Sequence, residues 1–196
     1  MGTEFELKFR STPQVHALLL ERFESFAPIS METVYYDTPN GSLSARRITL
    51  RKRLENGKAV CTLKTPGEGN IRGEWEVEEK NISQAVPMLC QLSGISDLLL
   101  WTAEGLEEVC GARFLRKETI LTLPDCTVQL ALDEGVLLGG GKELPLCELE
   151  VELRQGTQEA ATAFAQALAT EYSLPPQPES KFYRAQTLAA GETYGI

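Results

Sequence analysis

Three charged residues near the N-terminus have the types and spacing of a site for a metal ion and an anion. Glu4, Glu6 and Lys8 occupy alternate positions in a segment where charged and apolar side chains alternate. In a β-strand this spacing places all three on one face. Two neighbouring carboxylates offer the oxygen ligands that Mg²⁺ or Mn²⁺ prefers, and lysine offers a positive charge to a phosphate oxygen. The spacing therefore predicts metal and phosphate chemistry on this strand.

Two further sets of charged residues match this chemistry. The acidic set is Glu148, Glu150 and Glu152, and the basic set is Arg51, Arg53, Lys64 and Arg72. Charges of one sign repel along a strand unless opposite charge lies between them. We therefore expect both sets to face a common ligand. A polyphosphate bound with divalent cations suits them, because arginine and lysine neutralise phosphate oxygens while the cation joins phosphate to carboxylate.

The overall charge limits the partners. The chain has 196 residues, with 19 Lys and Arg against 28 Asp and Glu, and a net charge of −9. A uniform basic surface for duplex nucleic acid is therefore absent, and we expect no nucleic-acid partner. A local excess remains, since five cations occur within eight residues: Arg46, Arg47, Arg51, Lys52 and Arg53. This excess indicates a local polyanion site.

Other residue types exclude further classes of site. His16 is the single histidine, which excludes a multi-histidine metal site and histidine-based catalysis, and the five cysteines include no C-x-x-C pair. No segment is apolar enough for a membrane span, and the N-terminus is charged where a signal peptide would be apolar. We expect a cytoplasmic protein with free thiols and no membrane association.

Alternation with a period of two recurs along the chain and predicts an α+β fold in which strands are the majority. The predicted strands span 4–10, 50–53, 61–64, 72–78, 116–123, 128–133 and 146–153. Asn56-Gly57 predicts a tight hairpin, because both positions of a type I′ turn need positive φ. Helical periodicity predicts helices at 13–26, 83–92, from Thr102 or Ala103 to Val109, and 157–172.

The charged face of these strands has two interpretations. Antiparallel sheets often expose a polar face to water, so a solvated surface is the simpler one. Closing the sheet into a barrel removes its edges, and the charged face then lines a lumen covered by helices outside. The separation of acidic and basic residues onto different strands favours the lumen.

Several segments together resemble the CYTH superfamily, the triphosphate tunnel metalloenzymes. Glu4-x-Glu6-x-Lys8 resembles the E-x-E-x-K motif of that family. The other similar segments are Tyr35-Tyr36-Asp37-Thr38-Pro39, Leu50-Arg51-Lys52-Arg53, Cys61-Thr62-Leu63-Lys64, Arg72 to Glu76, Arg116, Ala131 to Asp133, Cys147 to Leu153, and Ser180-Lys181 with Arg184. The resemblance covers essentially the whole chain and implies an eight-stranded antiparallel tunnel with helices packed outside.

The resemblance also implies roles for individual residues. The implied substrate ligands are Lys8, Arg51, Arg53, Lys64, Arg72, Arg116, Lys181 and Arg184. The implied metal ligands are Glu4, Glu6, Glu148 and Glu150, with Glu152 and Asp133 as further candidates. The residues expected to act in catalysis are Lys8, Arg53, Lys64 and Glu76, with Glu74 and Glu76 orienting the basic residues or a water molecule. The implied cofactor is Mg²⁺ or Mn²⁺, and the implied partner is a small-molecule triphosphate.

One position departs from the pattern. Relatives often carry a second basic residue two positions after Arg116, where this chain has Glu118. A regular strand turns Lys117 to the opposite face, whereas a bulge would turn it into the lumen. Tyr35 or Tyr36 is a further candidate for the lumen, against the alternative that both pack in the core.

The pattern favours metal-dependent hydrolysis of a triphosphate phosphoanhydride bond, with inorganic triphosphate as the substrate. Thiamine triphosphatase, nucleoside triphosphatase and class IV adenylate cyclase remain open, as do a non-catalytic polyphosphate or nucleotide sensor and a structural barrel with internal salt bridges. We expect one tunnel domain at 1–188 and a C-terminal tail at 189–196. The oligomeric state stays open.

Overall fold

The computed structural model describes residues 2–192, which form a closed antiparallel barrel. Within these residues the strands are β1 Gly2–Arg10, β2 Ala27–Asp37, β3 Thr49–Glu55, β4 Lys58–Thr65, β5 Ile71–Val77, β6 Glu107–Thr122, β7 Cys126–Gly139 and β8 Lys142–Gly156. Their order around the barrel is β1-β5-β4-β3-β2-β6-β7-β8, and β8 pairs with β1. The expected eight-stranded barrel is confirmed.

The helices pack against the outside of the strands. They are α1 Pro13–Arg22, α2 Ile82–Ser93, α3 Leu98–Trp101, α4 Gln158–Glu171 and α5 Lys181–Ala189, and a 3-10 helix spans Ser44–Arg46. The chain from Gly2 to Glu192 contains no helix with the length and apolar character needed to cross a membrane.

Three buried apolar clusters join helices and strands. In the first, Leu19 of α1 and Ala165 of α4 pack with Leu149 of β8. In the second, Leu89 of α2 packs with Leu63 of β4. The third joins α5 to the neighbouring strands through residues Ala185, Met31, Ala112, Phe114, Leu137 and Leu146. The apolar side chains that alternate along the strands therefore fix the helices outside, which leaves the intervening charged side chains for the interior.

Two hairpins have turn residues with positive φ. Asn56 and Gly57 have φ values of 50° and 86°, and they join β3 to β4 as the dipeptide predicts. Gly140 and Gly141, with φ values of 57° and 72°, join β7 to β8. Both hairpins set the register of strands that carry charged lumen residues.

The helix predicted from Thr102 or Ala103 to Val109 is wrong. In the structure α3 ends at Trp101, and β6 begins at Glu107. Gly105 has a φ of 98°, a left-handed conformation that interrupts a helix. The first helix also ends at Arg22 rather than near Phe26, and Ser25 has a φ of 65° just beyond its end.

The structure also contains one strand that alternation did not reveal. β2 starts with mostly exposed residues and ends with three consecutive buried ones, Tyr35, Tyr36 and Asp37. Its tunnel-facing residues, Ile29, Met31, Thr33 and Tyr35, are uncharged, so β2 lacks the alternation of charged and apolar residues that marks the other strands. At the C-terminus, α5 includes Ala189, the first residue of the expected tail, and residues 193–196 lie outside the described residues.

Candidate active site

The barrel encloses a cavity of about 260 Å³ that is lined mainly by charged side chains. Its described cations are Lys8, Arg51, Arg53, Lys64, Arg72, Arg116, Arg154 and Lys181, and its described carboxylates are Glu4, Glu6, Glu55, Glu74, Glu76, Glu118, Glu150 and Glu152. The eight positive and eight negative groups balance in formal charge. We call this cavity the tunnel.

Strand register brings charges from distant parts of the sequence together. In the β1–β8 pair, Glu6 lies opposite Glu152 and Lys8 lies opposite Glu150. In the β4–β5 pair, Lys64 lies opposite Glu74. Side chains of directly opposed residues on one face are close enough to interact. Pairing of β1 with the late strand β8 therefore joins the N-terminal motif to the acidic row.

The basic residues of β3 and β4 are already partly neutralised. Lys64 Nζ lies 2.7 Å from an oxygen of Glu4 and 3.3 Å from one of Glu74, and Arg51 lies 3.5 Å from Glu74. Burial opposes the charge on Lys64, but Glu4 and Glu74 raise its pKa. The basic and acidic side chains are therefore not left without opposite charges, because they form ion pairs between neighbouring strands and also across an intervening strand.

The surroundings of Arg53 stabilise its charged form less than those of Arg51 do, since the pKa of Arg51 is raised and that of Arg53 is lowered. Burial and the neighbouring charge of Arg51 lower the pKa of Arg53, and Glu55 only partly offsets them. Its guanidinium also lies 3.8 Å from Glu76, and the Thr62 hydroxyl donates a 3.0 Å hydrogen bond to Glu76. Arg53 is therefore a buried cation that an incoming anion would stabilise.

A second group lies where the first turn of α5 reaches the tunnel. Lys181 Nζ lies 2.9 Å from Asp133, 2.6 Å from Glu148 and 2.5 Å from Glu150. Arg116 also pairs with Asp133, at 2.7 Å, and Arg184 pairs with Glu148. Burial opposes the Lys181 charge, but the three carboxylates raise its pKa well above the ordinary value. Burial would raise the Glu150 pKa, but Lys181 and Arg116 hold it well below the ordinary value.

These three carboxylates have the geometry of a cation site. Oxygens of Asp133, Glu148 and Glu150 lie within 4.8 Å of one another. The ammonium group of Lys181 is in direct contact with all three. Together with Arg116 and Arg184, this ammonium supplies three positive charges to the three carboxylates, so the protein itself neutralises them.

A third group brings the carboxylates of Glu4, Glu6 and Glu152 close enough together to repel one another. Burial raises the pKa of Glu152 to about 7; Arg154 opposes this, and the charges of Glu4 and Glu6 add to it. Glu6 Oε1 lies 3.3 Å from Lys8 Nζ, and Glu152 lies 2.9 Å from Arg154. Buried carboxylates that repel one another fit a hard divalent cation, which takes oxygen ligands and adds positive charge between them.

The structure places the sequence-predicted residues at two depths. Those lining the tunnel are Lys8, Arg51, Arg53, Lys64, Arg72, Arg116, Lys181, Glu4, Glu6, Glu74, Glu76, Glu150 and Glu152. Asp133 and Glu148 share the inner face of the strands with Arg116 and Glu150, but α5 covers them; together with Arg184 they have 0%, 1% and 4% of their surface exposed. The tunnel thus brings together most of the predicted set, whereas these three residues anchor α5.

The two open alternatives in the lumen have clear outcomes. Glu118 lines the tunnel and accepts a 2.7 Å hydrogen bond from Gln129, because β6 continues past Arg116 without a bulge. Tyr35 lines the tunnel and packs on Phe182 at 5.1 Å between ring centroids, whereas Tyr36 belongs to the outer core. One tyrosine of the pair therefore faces each side of β2.

Arg154 and Glu55 are lumen residues that the sequence analysis missed. Arg154 pairs with Glu152 and donates a 3.1 Å hydrogen bond from Nε to Gln129. It continues the alternation of the acidic row by one step, but the predicted strand ended at residue 153, whereas β8 extends to Gly156. Glu55 pairs with Arg53 one alternate position further along β3. Extending the two strands would have found both residues.

Comparison with known proteins gives a consistent result. A family model described as CYTH domain matches residues 2–185. The chain is 25% identical to an inorganic triphosphatase from Haemophilus influenzae over 197 aligned residues, which cover 97% of this chain and 56% of that protein. The chain therefore spans about half the length of this curated relative.

Solved structures share the fold. An adenylyl cyclase candidate from Hippeastrum with a dominant triphosphatase activity is 20% identical, with a TM-score of 0.63 over 99% of this chain and 98% of that one. The PH1819 protein from Pyrococcus horikoshii is 23% identical, with a TM-score of 0.63 over 95% of this chain and 99% of that one. These similarities establish the architecture, and residues 2–185, which match the family model, include every strand of the barrel.

Proposed function

The chain belongs to the CYTH domain family, and from this premise we propose that it hydrolyses a phosphoanhydride bond of a triphosphate with the help of Mg²⁺ or Mn²⁺. The observation that carries the proposal is the charge balance of the tunnel, where eight cations meet eight carboxylates. A lumen built for an anion alone gains nothing from the carboxylates. A lumen that takes a polyanion together with divalent cations needs both sets.

In this proposal, residues that line the tunnel bind the substrate or the metal, and residues buried under α5 position them. The substrate ligands are Lys8, Arg51, Arg53, Lys64, Arg72, Arg116 and Lys181, which line the tunnel. The metal ligands are Glu4, Glu6, Glu150 and Glu152, which line it as well. Arg184 acts through Glu148, and Asp133 and Glu148 fix Lys181 in place. These three residues are positioning residues.

The proposed reaction breaks one P–O bond of a bridging oxygen and adds one water to phosphorus, so inorganic triphosphate gives orthophosphate and pyrophosphate. When bound, the divalent cation polarises the phosphoryl group and acidifies water. Lys8 and Arg53 hold phosphate oxygens and offset the charge that develops on them. Glu76, fixed by Thr62 and close to Arg53, orients the basic row or a water molecule.

Inorganic triphosphate is the favoured substrate. The Haemophilus influenzae relative is an inorganic triphosphatase, and it matches nearly all of this chain. Thiamine triphosphate and nucleoside triphosphates carry the same triphosphate group, and cyclisation of ATP would begin from the same bound group. A sensor that binds without turnover would leave the substrate intact.

The test is phosphate release from inorganic triphosphate, thiamine triphosphate and ATP in parallel, with Mg²⁺, Mn²⁺ or EDTA. The matched variants are Arg53→Gln and Lys52→Gln, which change neighbouring cations on β3. Arg53 lines the tunnel, and Lys52 is not among the described lining residues. We expect metal-dependent release that is fastest with inorganic triphosphate, about tenfold or more slower in Arg53→Gln and unchanged in Lys52→Gln. Tight binding of all three compounds without release would contradict the proposal and indicate a sensor.

A further inference from the structure

A histidine, a cysteine and a glutamate meet on the outer side of the barrel, away from the tunnel. His16 of α1 is 5% exposed, and its Nδ1 and Nε2 atoms lie 3.9 Å and 3.7 Å from Cys147 Sγ of β8. The same Nδ1 atom lies 4.0 Å from an oxygen of Glu134 on β7. None of the three is among the described lining residues of the tunnel. We call these three residues the outer cluster.

Strand pairing places two members of the outer cluster side by side. Cys147 lies directly opposite Glu134 in the β7–β8 register, so both side chains point to the same face of the sheet. Their chain neighbours Glu148 and Asp133 are opposed in the same way, but they point to the inner face. There they contact Lys181 of α5. The outer cluster and the anchor of α5 therefore lie on opposite faces of the same two strands.

The packing of α1 holds His16 over these strands. His16 and Leu19 are three residues apart and therefore share one face of the helix. Cys147 and Leu149 share one face of β8, and Leu149 is buried in the same apolar cluster as Leu19. The backbone N–H of Ser11, just before α1, donates a 3.0 Å hydrogen bond to the Cys147 carbonyl oxygen. The imidazole is therefore held beside the thiol both by the start of the helix and by its buried face.

The distances around His16 Nδ1 are close to those of a tetrahedral metal site. The typical bond lengths of zinc to nitrogen, oxygen and sulfur place two ligand atoms of one ion about 3.3–3.6 Å apart. The Cys147 sulfur and the Glu134 oxygen lie 3.9 Å and 4.0 Å from Nδ1, which is only slightly further. The Glu134 side chain is 56% exposed, so it can turn toward such an ion, and the open side admits water as a fourth ligand.

The ligand chemistry of the outer cluster differs from that of the tunnel. The described lining of the tunnel contains carboxylates but no cysteine or histidine, so it offers oxygen ligands, which Mg²⁺ prefers. Thiolate and imidazole are softer ligands and select zinc over magnesium. Burial lowers the pKa of His16, although the charge of Glu134 opposes this, and thus favours the neutral imidazole that binds a metal ion.

We propose that His16, Cys147 and Glu134 bind one Zn²⁺ ion, separate from the divalent cation proposed for the tunnel. Binding replaces the thiol proton of Cys147, which passes to solvent. The bound ion joins α1 to β7 and β8, in addition to the apolar contacts of Leu19. Because an ion that binds the folded chain stabilises it, Zn²⁺ acts as a structural clamp on the strands that hold α5.

The test is titration of the full chain with Co²⁺, a spectroscopic substitute for Zn²⁺, in excess Mg²⁺. A thiolate bound to Co²⁺ gives a charge-transfer band in the near ultraviolet, which carboxylate ligands do not give. We expect one equivalent of Co²⁺ to produce this band and one equivalent of Zn²⁺ to remove it. Cys147→Ser abolishes the band, and His16→Gln and Glu134→Gln raise the Kd for Co²⁺ at least about tenfold. The matched control Cys90→Ser, whose thiol contacts the Ile95 carbonyl oxygen at 3.3 Å, retains it.

Urea unfolding with and without Zn²⁺, again in excess Mg²⁺, provides a second measurement that does not depend on the buried variants. We expect Zn²⁺ to raise the unfolding midpoint of the wild-type chain and to raise that of Glu134→Gln much less. A wild-type chain without the thiolate band, a band that persists in Cys147→Ser, or equal Zn²⁺ shifts in wild type and Glu134→Gln would overturn the proposal. Neither measurement requires turnover, so this proposal and the proposed function can fail independently.

Discussion

Replacing Glu152 by glutamine in the metal-free protein removes a carboxylate whose ionised form is disfavoured in the folded state. Burial is the main cause, the charges of Glu4 and Glu6 add to it, and the pKa of Glu152 rises from 4.5 to about 7. In the unfolded chain the carboxyl ionises near its ordinary pKa. Between pH 4.5 and 7 the folded state therefore holds more protons than the unfolded state, and stability falls as pH rises through this window.

The size of the effect follows from the same pKa values. Each tenfold change in a proton equilibrium corresponds to about 1.4 kcal/mol. A rise from 4.5 to about 7 thus corresponds to about 3 kcal/mol of lost stability at pH 8, with little further change above it. At pH 5 only about 1 kcal/mol of this loss is present. Glutamine also loses the ion pair with Arg154, a half-exposed partner whose contribution is small.

The assay is urea unfolding of wild type and Glu152→Gln in EDTA at pH 5 and pH 8. We expect the variant to be more stable than wild type by about 3 kcal/mol at pH 8 and by about 1 kcal/mol at pH 5. Glu68→Gln, at an exposed loop position, is the control and leaves stability unchanged at both values. Equal effects of Glu152→Gln at the two pH values, or a less stable variant at pH 8, would refute the reasoning.

Three further predictions concern the anchor of α5, the tunnel cations and the barrel packing. Lys181→Met leaves Asp133, Glu148 and Glu150 without their shared ammonium and lowers the free energy of unfolding in urea by at least about 3 kcal/mol, whereas Lys181→Arg costs less. Lys8→Ala and Arg53→Ala each lower kcat/KM for inorganic triphosphate by about tenfold or more, with circular dichroism confirming the fold. Gly135→Ala places a Cβ 2.3 Å from the Arg113 carbonyl oxygen and lowers unfolding stability by about 1–3 kcal/mol. Wild-type stability in Gly135→Ala would contradict the packing described for β6 and β7.

The strands could be predicted from sequence because alternation records which face of a strand meets the core. Leu63 and Lys64 illustrate this, since the first packs under α2 and the second lines the tunnel. β2 was missed because the residues on its tunnel face, such as Met31 and Thr33, are uncharged and give no alternation of charged and apolar side chains. The predicted helix near Thr102 failed because one glycine, Gly105, adopts a left-handed conformation that a periodicity count does not register.

The sequence predicted which charged residues form the candidate site, but it did not predict which of them pair with each other. Each strand shows its own charges, but the partner of a charge depends on the strand order, which places β5 between β1 and β4. The Glu4–Lys64 pair and the contacts of Lys181 thus required the structure. The contact between the 3-10 helix and α5 required it as well, because the Gln186 side chain reaches the Ser44 hydroxyl only when the turn after β2 packs against α5.

Orthophosphate release from inorganic triphosphate by the wild-type chain, in Mg²⁺ and in EDTA, tests the central claim most directly. The balanced charges of the tunnel predict catalytic release in Mg²⁺ and none in EDTA. Glu6→Gln, which removes one proposed metal ligand, is expected to need a higher Mg²⁺ concentration for half-maximal release. Equal release in Mg²⁺ and EDTA, or no release in either, would contradict the assignment of the tunnel as a metal-dependent triphosphatase site.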